Sequence, residues 1–452
     1  IIEKLKKAGL LYLVVQKFSE INLGADTIDN LEMGYMFEEL IRKFSEQSNE
    51  TAGEHFTPRE VIELMVEVLL DTDLDEITTT DGKVITILDP ACGTGGMLSI
   101  AQNKIRALNS RTTVVPFGQE LNPETYATCK SDMILKNNTN SKIVFGNSFS
   151  EDGFREQKFD YILSNPPFGV EWKKVKNFIE NESKHKGYDG RFGAGTPRIS
   201  DGSLLFLQHM ISKMQPIEKG GSRIGIVFNG SPLFSGDAGS GESEIRKWII
   251  EKDLLEAVIG LPDQLFYNTG ISTYVWILTN RKTDRRKGKI RLINGTSFFG
   301  KMRKSLGNKR NEITESDRKE IVRLYSTYEH DENYIDFDND DFGYRKITIE
   351  RPLYDENREV VVEKGNPKPN SKLRDTETVP FKEDIHEYFK REVLPHVPDA
   401  WIDEKKTKIG YEIPFTRHFY KFTPLRESSV ILDEIKQLEE KIQKSLNELF
   451  KG

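Results

Sequence analysis

The sequence predicts an α/β protein built on a doubly wound, mostly parallel sheet, with a helical region before it and a single helix at its end. Three observations predict this. Val84, Ile85, Ile87 and Leu88 form a short β-branched run that reads as a buried strand. It ends at Asp89 and is followed by a turn containing Gly93, Gly95 and Gly96, then by a helical stretch. Tyr161, Ile162 and Leu163 form a second such strand, ending in Asn165-Pro166-Pro167-Phe168. Between and beyond these runs strands alternate with helices, the pattern of a parallel sheet with right-handed crossovers.

The elements follow in order. Over residues 1–50, Leu5, Leu10, Leu13, Val14 and Phe18 give one apolar helical face. Leu31, Met33, Met36, Phe37, Leu40, Ile41 and Phe44 give another. The chain begins at Ile1 without a methionine, so a truncated N-terminal helical domain is expected. Residues 53–59 read as a loop entering a helix, with Thr57 as N-cap and Pro58 in the first helical position. Val61, Ile62, Leu64, Met65, Val68 and Leu69 continue that helix. The helix after the glycine turn, residues 97–108, carries a stripe of Met97, Ile100, Ala101 and Ile105. A second strand, 113–118, leads to Glu120, a helix covers 123–136, and a third strand, 142–145, leads to Gly146-Asn147-Ser148.

Beyond Phe168 the Gly- and Arg-rich segment 187–200 reads as a loop, either a lid or a long connection. Residues 203–214 read as an amphipathic helix, and residues 234–242 as a flexible loop. Strands at 223–228, 254–260 and 272–279 complete the sheet, and 289–293 adds one more. From residue 312 the composition changes, and 364–380, rich in Pro, Asn, Lys and Thr, reads as a loop or linker. In the tail, Ile431, Ile435, Leu438, Ile442 and Leu449 form a short heptad seam, with Ser445 in one apolar slot. Three heptads are marginal alone, so the seam needs a partner, in its own domain or another chain.

Composition narrows the class. The 452 residues are 37% hydrophobic and 30% charged, enough for two or three soluble domains, and no apolar run approaches the ~20 residues that span a bilayer. Two cysteines, Cys92 and Cys129, make no disulfide framework, so a cytoplasmic, reducing location is expected. No Cys/His cluster has metal-ligand spacing, so no metal is expected. The net charge of -7 suits a lone nucleic-acid binder poorly. Locally, residues 281–310 hold twelve Lys/Arg and one acid, Asp284, whereas 329–341 hold seven acids and no Lys/Arg. The basic run is either a solvated face or a rim facing DNA or another subunit.

The two strand ends carry the chemistry. A glycine turn between strand and helix lets the backbone approach a nucleoside at the carboxyl edge of the sheet. The spacing is Gly-x-Gly-Gly, so a pyrophosphate fingerprint is not met, and a plain structural turn stays open. Glu120, 31 positions after Asp89, is placed to accept hydrogen bonds from ribose hydroxyls. Asn147 is placed for an adenine edge, with a turn Asn as the plain alternative. Asn165 precedes a proline and is held extended. The two prolines remove N–H donors and leave carbonyls outward, so with the Asn165 oxygen they form acceptors for an amino group that donates two hydrogen bonds. Phe168 offers a stacking face. The bland alternative is a proline-stiffened turn with a core phenylalanine.

Asp89-Pro90-Ala91-Cys92-Gly93-Thr94-Gly95-Gly96 followed by Asn165-Pro166-Pro167-Phe168 resembles the motifs of S-adenosylmethionine-dependent amino-methyltransferases. The resemblance narrows at Gly53-Glu54-His55-Phe56-Thr57-Pro58-Arg59, Phe117-Gly118-Gln119-Glu120-Leu121-Asn122-Pro123-Glu124-Thr125, Asp201-Gly202-Ser203-Leu204-Leu205-Phe206-Leu207-Gln208-His209 and Gly260-Leu261-Pro262-Asp263-Gln264-Leu265-Phe266. With these segments the chain resembles the modification (M) subunit of a type I restriction-modification system, from about residue 24 onward. The resemblance implies a Rossmann-like sheet and N6-adenine DNA methylation with base flipping. It makes Asn165, Pro166, Pro167 and Phe168 catalytic. It makes Glu54, His55, Phe56, Thr57, Pro58, Arg59, Asp89, Ala91, Gly93, Thr94, Gly95, Gly96, Glu120, Asn147 and Asn165 contacts of S-adenosylmethionine.

The implied partners are duplex DNA, a specificity (S) subunit that chooses the sequence, a second M subunit and a restriction (R) subunit, with no membrane. The domains expected are helical over 1–50, catalytic over 51–320, a C-terminal extension over 321–425 and a coiled-coil-like helix over 426–452. The same tetrapeptide also serves methylation of protein glutamine or of guanine in RNA. A catalytically idle, cofactor-binding assembly subunit is a further alternative.

Overall fold

The β-branched runs assemble into one nine-stranded sheet. In the computed structural model, which describes residues 2–21, 57–136, 138, 140–267, 269–306, 308–420 and 427–449, its strands are β1 (Val84–Asp89), β2 (Thr113–Glu120), β3 (Lys142–Phe145), β4 (Tyr161–Ser164), β5 (Arg223–Asn229), β6 (Leu255–Gly260), β7 (Thr273–Thr279), β8 (Lys289–Asn294) and, beyond a hairpin of β9 (Gly300–Leu306) and β10 (Lys309–Glu312), β11 (Tyr334–Asp338). The spatial order is β11-β8-β6-β7-β5-β4-β1-β2-β3. Pairings β3–β2, β2–β1, β1–β4, β4–β5 and β6–β8 are parallel. Only β7 and β11 run against their neighbours. Strand order reverses at β1, so Asp89 and Ser164, at the ends of adjacent strands, flank the switch point where such sheets bind ligands.

The core follows from the sequence pattern. Ile85, Ile87, Leu163, Val227, Ala257, Ile259, Val275 and Ile277 are fully or almost fully buried. Helix α1 (Ile2–Lys7) and helix α2 (Leu11–Ser19) open the chain, and α2 buries no residue. Helix α3 (Arg59–Leu70) lays Val61, Ile62, Leu64, Met65, Val68 and Leu69 on the sheet. Helix α4 (Gly96–Leu108) packs beside it, burying Met97, Ile100, Ala101 and Ile105. Helix α5 (Pro123–Leu135) is capped by Asn122, whose side chain accepts from the Glu124 and Thr125 amides.

Several expectations are corrected. Pro58, with φ −57° and ψ 140°, caps α3 and Arg59 is its first residue; Thr57 lies outside the helix and makes no cap bond. The helix expected at 203–214 is present as α7 (Ser203–Ser212), after α6 (Lys176–Lys186), but it is nearly all buried, because it packs against β5 and the 241–251 helix and its Leu205 sits among Phe149, Trp172, Ile179 and Phe192. The acidic run contributes β11, an edge strand pairing antiparallel with β8. Helix α8 (Glu315–Ser326), with a Thr314–Asp317 capping box, precedes it. The supposed linker 364–380 is structured. A second sheet centres on β12 (Gly343–Glu350), and after the small hairpin of β13 (Val362–Glu363) and β14 (Asn366–Pro367) the chain returns as β15 (Asp375–Pro380), then β16 (Trp401–Ile402) and β17 (Lys408–Tyr411), all three pairing with β12.

Five of the twelve cations of the basic run are wholly or partly buried, and the other seven are exposed. Arg281 lies 2.6 Å from Asp73, Lys282 2.6 Å from Asp253 and Arg291 2.7 Å from Asp336. Arg286 sits on the Tyr325 carbonyl and Lys309 on Glu60. Buried cations need such partners, so only part of the run remains as a rim.

The chain divides into two compact units, Ile1–Pro414 and Phe415–Gly452. In the second, α9 (Ser428–Leu449) is a single helix on which Ile431, Ile435, Leu438 and Ile442 are exposed. Among the described residues no helix is long and apolar enough to cross a membrane.

Candidate active site

The site is built from what ends each strand. At the end of β1, Asp89 is 2% exposed. Its Oδ1 accepts from the Ala91 amide (3.0 Å) and from Ser164 Oγ (2.9 Å) at the end of β4. Burial pushes its carboxyl up to about 7, the two donors pull it back down in part, and the nearby Glu120 charge raises it. Ser164 has no part in the motif reading; it reveals itself only when β1 and β4 pair.

The glycine turn closes with the Gly95 amide donating to the Cys92 carbonyl (2.8 Å). Gly93 has φ +53° and Gly95 φ +85°. A Cβ on Gly93 would meet nothing within 4 Å, whereas one on Gly95 would meet Cys129 Sγ at 2.7 Å and Met133 Cε at 2.9 Å. Gly93 therefore faces open space, and Gly95 is packed from behind. Cys92 and Cys129 are buried free thiols; their mutual hydrogen bond and their burial hold the Cys92 thiol well above its usual value. Thr94, half-buried, stands between the two glycines.

At the end of β2, Glu120 spans the mouth of the turn. Its carboxylate accepts from the Gly93 amide (2.9 Å) and from the Asn122 amide (2.7 Å). At the end of β3, Asn147 Oδ1 accepts from the Phe149 amide (2.9 Å), so its side-chain oxygen closes its own turn. That turn is clamped from the segment 187–200. Arg191 donates to the Ser148 carbonyl (2.9 Å) and the Phe149 carbonyl (2.6 Å), and grips Glu182 bidentately. This segment is a pinned connection, with Phe192 fully buried. His209 of α7, beside Arg191, is held neutral because burial lowers it to about 3. Nothing in the local sequence around Arg191 announces this clamp.

After β4, Asn165 is half-buried between buried Ser164 and buried Pro166. Asn165 Nδ2 donates to Thr57 Oγ1 at 2.8 Å. The hydroxyl that the sequence offers as a helix cap thus holds the catalytic candidate instead, and the amide's Oδ1 orientation is fixed by it. Phe168 is 7% exposed and belongs to the main apolar cluster. A planar ligand meets its ring only by displacing what covers it. Glu54, His55 and Phe56 lie outside the described residues; Pro58 is buried, and Arg59, exposed, pairs with Glu63 at 3.2 Å. Among the described residues no group of His, Cys, Asp and Glu could hold a metal.

The donor set fits a nucleoside cofactor with a cationic centre. The open face of Gly93 leaves room for backbone approach, and the Glu120 carboxylate, which accepts from the Gly93 amide, lies at that face as an acceptor of the kind that hydroxyls need. The raised pKa of Asp89 has a stability consequence. The folded state then holds a proton that the unfolded chain has released between pH 3.8 and about 7, so stability falls as pH rises through this window. Asp89→Asn keeps the Oδ1 acceptor and removes the titration. Denaturant midpoints measured at pH 5 to 8 are expected to fall for the wild type and to stay flat, relative to it, for Asp89→Asn. Parallel curves for the two proteins would refute a protonated Asp89.

A doubly wound sheet with an acid-flanked glycine turn at its switch point is the fold of an S-adenosylmethionine-dependent methyltransferase. The chain belongs to the N-6 DNA methylase family, whose model matches residues 29–343. Family and fold together imply dependence on S-adenosylmethionine. The chain is 29% identical over 343 residues to the type I restriction enzyme MjaIX methylase subunit of Methanocaldococcus jannaschii, covering 74% of this chain and 55% of that one. It is 31% identical over 280 residues to the HindI methylase subunit of Haemophilus influenzae, covering 61% and 55%. The chain thus spans about half the length of the curated relatives it matches. Among solved structures it is similar to the type I restriction-modification methyltransferase subunit of Streptococcus thermophilus, with a TM-score of 0.57 and 27% identity over 68% of this chain and 60% of that one. A modification subunit of a type I restriction enzyme from Vibrio vulnificus shares the fold, with a TM-score of 0.53 at 21% identity over 77% and 66%.

Proposed function

We propose that the protein is the methyltransferase subunit of a type I restriction-modification complex, acting on the N6 amino group of a flipped adenine in duplex DNA. The observation that carries the reading is Asn165, held at the end of β4 by Thr57 beside the Asp89–Ser164 pair. Bound S-adenosylmethionine supplies an electrophilic methyl group whose leaving group is a neutral thioether. Glu54 to Arg59, Asp89, Ala91, Gly93, Thr94, Gly95, Gly96, Glu120 and Asn147 hold it in this reading. Glu120 would exchange its bond to the Gly93 amide for ribose hydroxyls, and Asn147 would turn its amide nitrogen to the adenine edge.

The target amino group lies inside the helix stack, so the base is flipped out. Asn165 Oδ1 and the Pro166 carbonyl accept its two hydrogens and hold the nitrogen lone pair toward the methyl group. Pro167 keeps the strand end stiff, and Phe168 turns out to stack on the base. The chain's contribution is chiefly orientation.

The domain plan in this reading is a helical region before residue 51, a catalytic domain to about 320, an extension to about 425 and a terminal helix. The exposed seam Ile431, Ile435, Leu438 and Ile442 is the natural contact for a specificity subunit. A second M subunit and a restriction subunit complete the assembly, and the compartment is the cytoplasm. The intact acceptor set favours an active enzyme over an idle assembly subunit.

The test is transfer of tritiated methyl groups from S-adenosylmethionine to unmethylated duplex DNA, by the chain alone and with its specificity subunit. Incorporation that requires the partner supports the reading. Intact cofactor binding with no incorporation in either case would move the substrate to protein or RNA.

A further inference from the structure

The seven parallel strands β1, β2, β3, β4, β5, β6 and β8 end on one edge of the sheet, the edge that carries Asp89, Glu120, Asn147 and Asn165. The hairpin β9–β10 leaves from that same edge, starting just beyond Asn294 at the end of β8. Its second strand is fixed in place. The Arg310 amide donates to the Gln264 carbonyl (2.9 Å), the Asn308 amide to the Tyr267 carbonyl (2.8 Å) and Asn311 Nδ2 to the Asp263 carbonyl (2.7 Å). Buried Lys309 donates to Glu60 of α3, the helix that begins two residues after Thr57. Since Thr57 holds Asn165, the hairpin is joined to the candidate active site through α3.

The outward residues of the hairpin are basic. Lys301, Arg303, Lys304 and Arg310 are all exposed, and Glu312 is the hairpin's one acid. Among the described residues none of these four cations forms an ion pair, whereas Arg281, Lys282, Arg291 and Lys309 of the same run are each matched to a carboxylate. Cations left unmatched on the sheet edge that carries the site, on a chain whose net charge is -7, form a local field suited to a polyanion.

We infer that this hairpin is a phosphate-backbone clamp, with Lys301, Arg303, Lys304 and Arg310 contacting the DNA duplex next to the flipped base. The inference rests on the reading of the substrate as DNA. It assigns the contacts to positioning and affinity; sequence choice lies elsewhere.

The test uses the full chain and a short fluorescent unmethylated duplex, with affinity followed across a salt series by anisotropy. Lys301→Gln, Arg303→Gln, Lys304→Gln and Arg310→Gln combined are expected to lower the slope of log affinity against log salt by about 3 to 4, at roughly 0.9 per lost phosphate contact. The charge-keeping set, Lys301→Arg, Arg303→Lys, Lys304→Arg and Arg310→Lys, is expected to keep the wild-type slope, and both sets to keep cofactor affinity. An unchanged slope in the glutamine set would overturn the clamp. So would loss of specificity-subunit binding with unchanged DNA affinity, which would make the hairpin a protein contact. If the wild type binds DNA with the hairpin-dependent slope yet transfers no methyl group to it, the clamp stands and the adenine reading fails. If it methylates DNA with the slope unaffected by the substitutions, the adenine reading stands and the clamp fails.

Discussion

Asn165→Ala is expected to lower methyl transfer by about three orders of magnitude or more, about 4 kcal/mol of transition-state stabilisation, with cofactor affinity within a few-fold. The argument is geometric. The alanine removes the acceptor that fixes the target amino group, while the glycine turn, Glu120 and Asp89 stand on other strands. Ser164, which does touch Asp89, is left in place. Single-turnover transfer and equilibrium cofactor binding, measured side by side, check it. A proportional loss of both would mean that Asn165 holds the cofactor and not the base. Thr57→Val supplies a finer control. It removes the hydroxyl that accepts from Asn165 Nδ2 at 2.8 Å and keeps the side-chain shape. Its transfer rate is expected to fall about tenfold, as for a positioning residue, with Thr57→Ser restoring it. A Thr57→Val enzyme with wild-type transfer would show that Asn165 is oriented by other neighbours.

The parts of this site that were legible in the sequence are those set by residue type over a few positions. A β-branched run such as Ile85 to Leu88 buries itself, and Asn165 before Pro166 is extended for steric reasons. The parts that were not legible depend on partners far along the chain. Thr57 meets Asn165 across 108 positions, and Arg281 meets Asp73 across 208. Locally, Thr57-Pro58 looks like a helix cap, and Arg281 looks like one more surface cation. Tertiary pairing overrode both readings. The acidic run hid a strand for a related reason. In β11, Ile335 and Phe337 alternate with Asp336 and Asp338, and an edge strand with one solvated side tolerates that charge. In β15 the alternation is short and the flanks are polar, so the stretch reads as linker until β12 is there to pair with it.

Gly95→Asp is expected to abolish cofactor binding and also to destabilise the fold, and a companion substitution separates the two effects. At Gly95 the φ of +85° strains any side chain, and a Cβ would press on Cys129 Sγ at 2.7 Å and Met133 Cε at 2.9 Å. Left-handed strain and overpacking together amount to about 2 to 5 kcal/mol. A lost signal for Gly95→Asp therefore mixes damage to the turn with any block of the ligand. Gly93→Ala does not mix them in this way. Its φ of +53° costs about 1 kcal/mol, and its Cβ meets no protein atom within 4 Å. The added methyl projects into the space where the cofactor is expected, next to the amide that Glu120 accepts from. Gly93→Ala is therefore expected to stay folded, with a small fall in melting temperature, and to weaken cofactor binding at least tenfold. Melting curves paired with calorimetric titration of S-adenosylmethionine decide the matter. Wild-type affinity in a folded Gly93→Ala protein would mean that the cofactor does not approach the turn from its open side, and the assignment of Gly93, Thr94 and Gly95 as its cradle would fall with it.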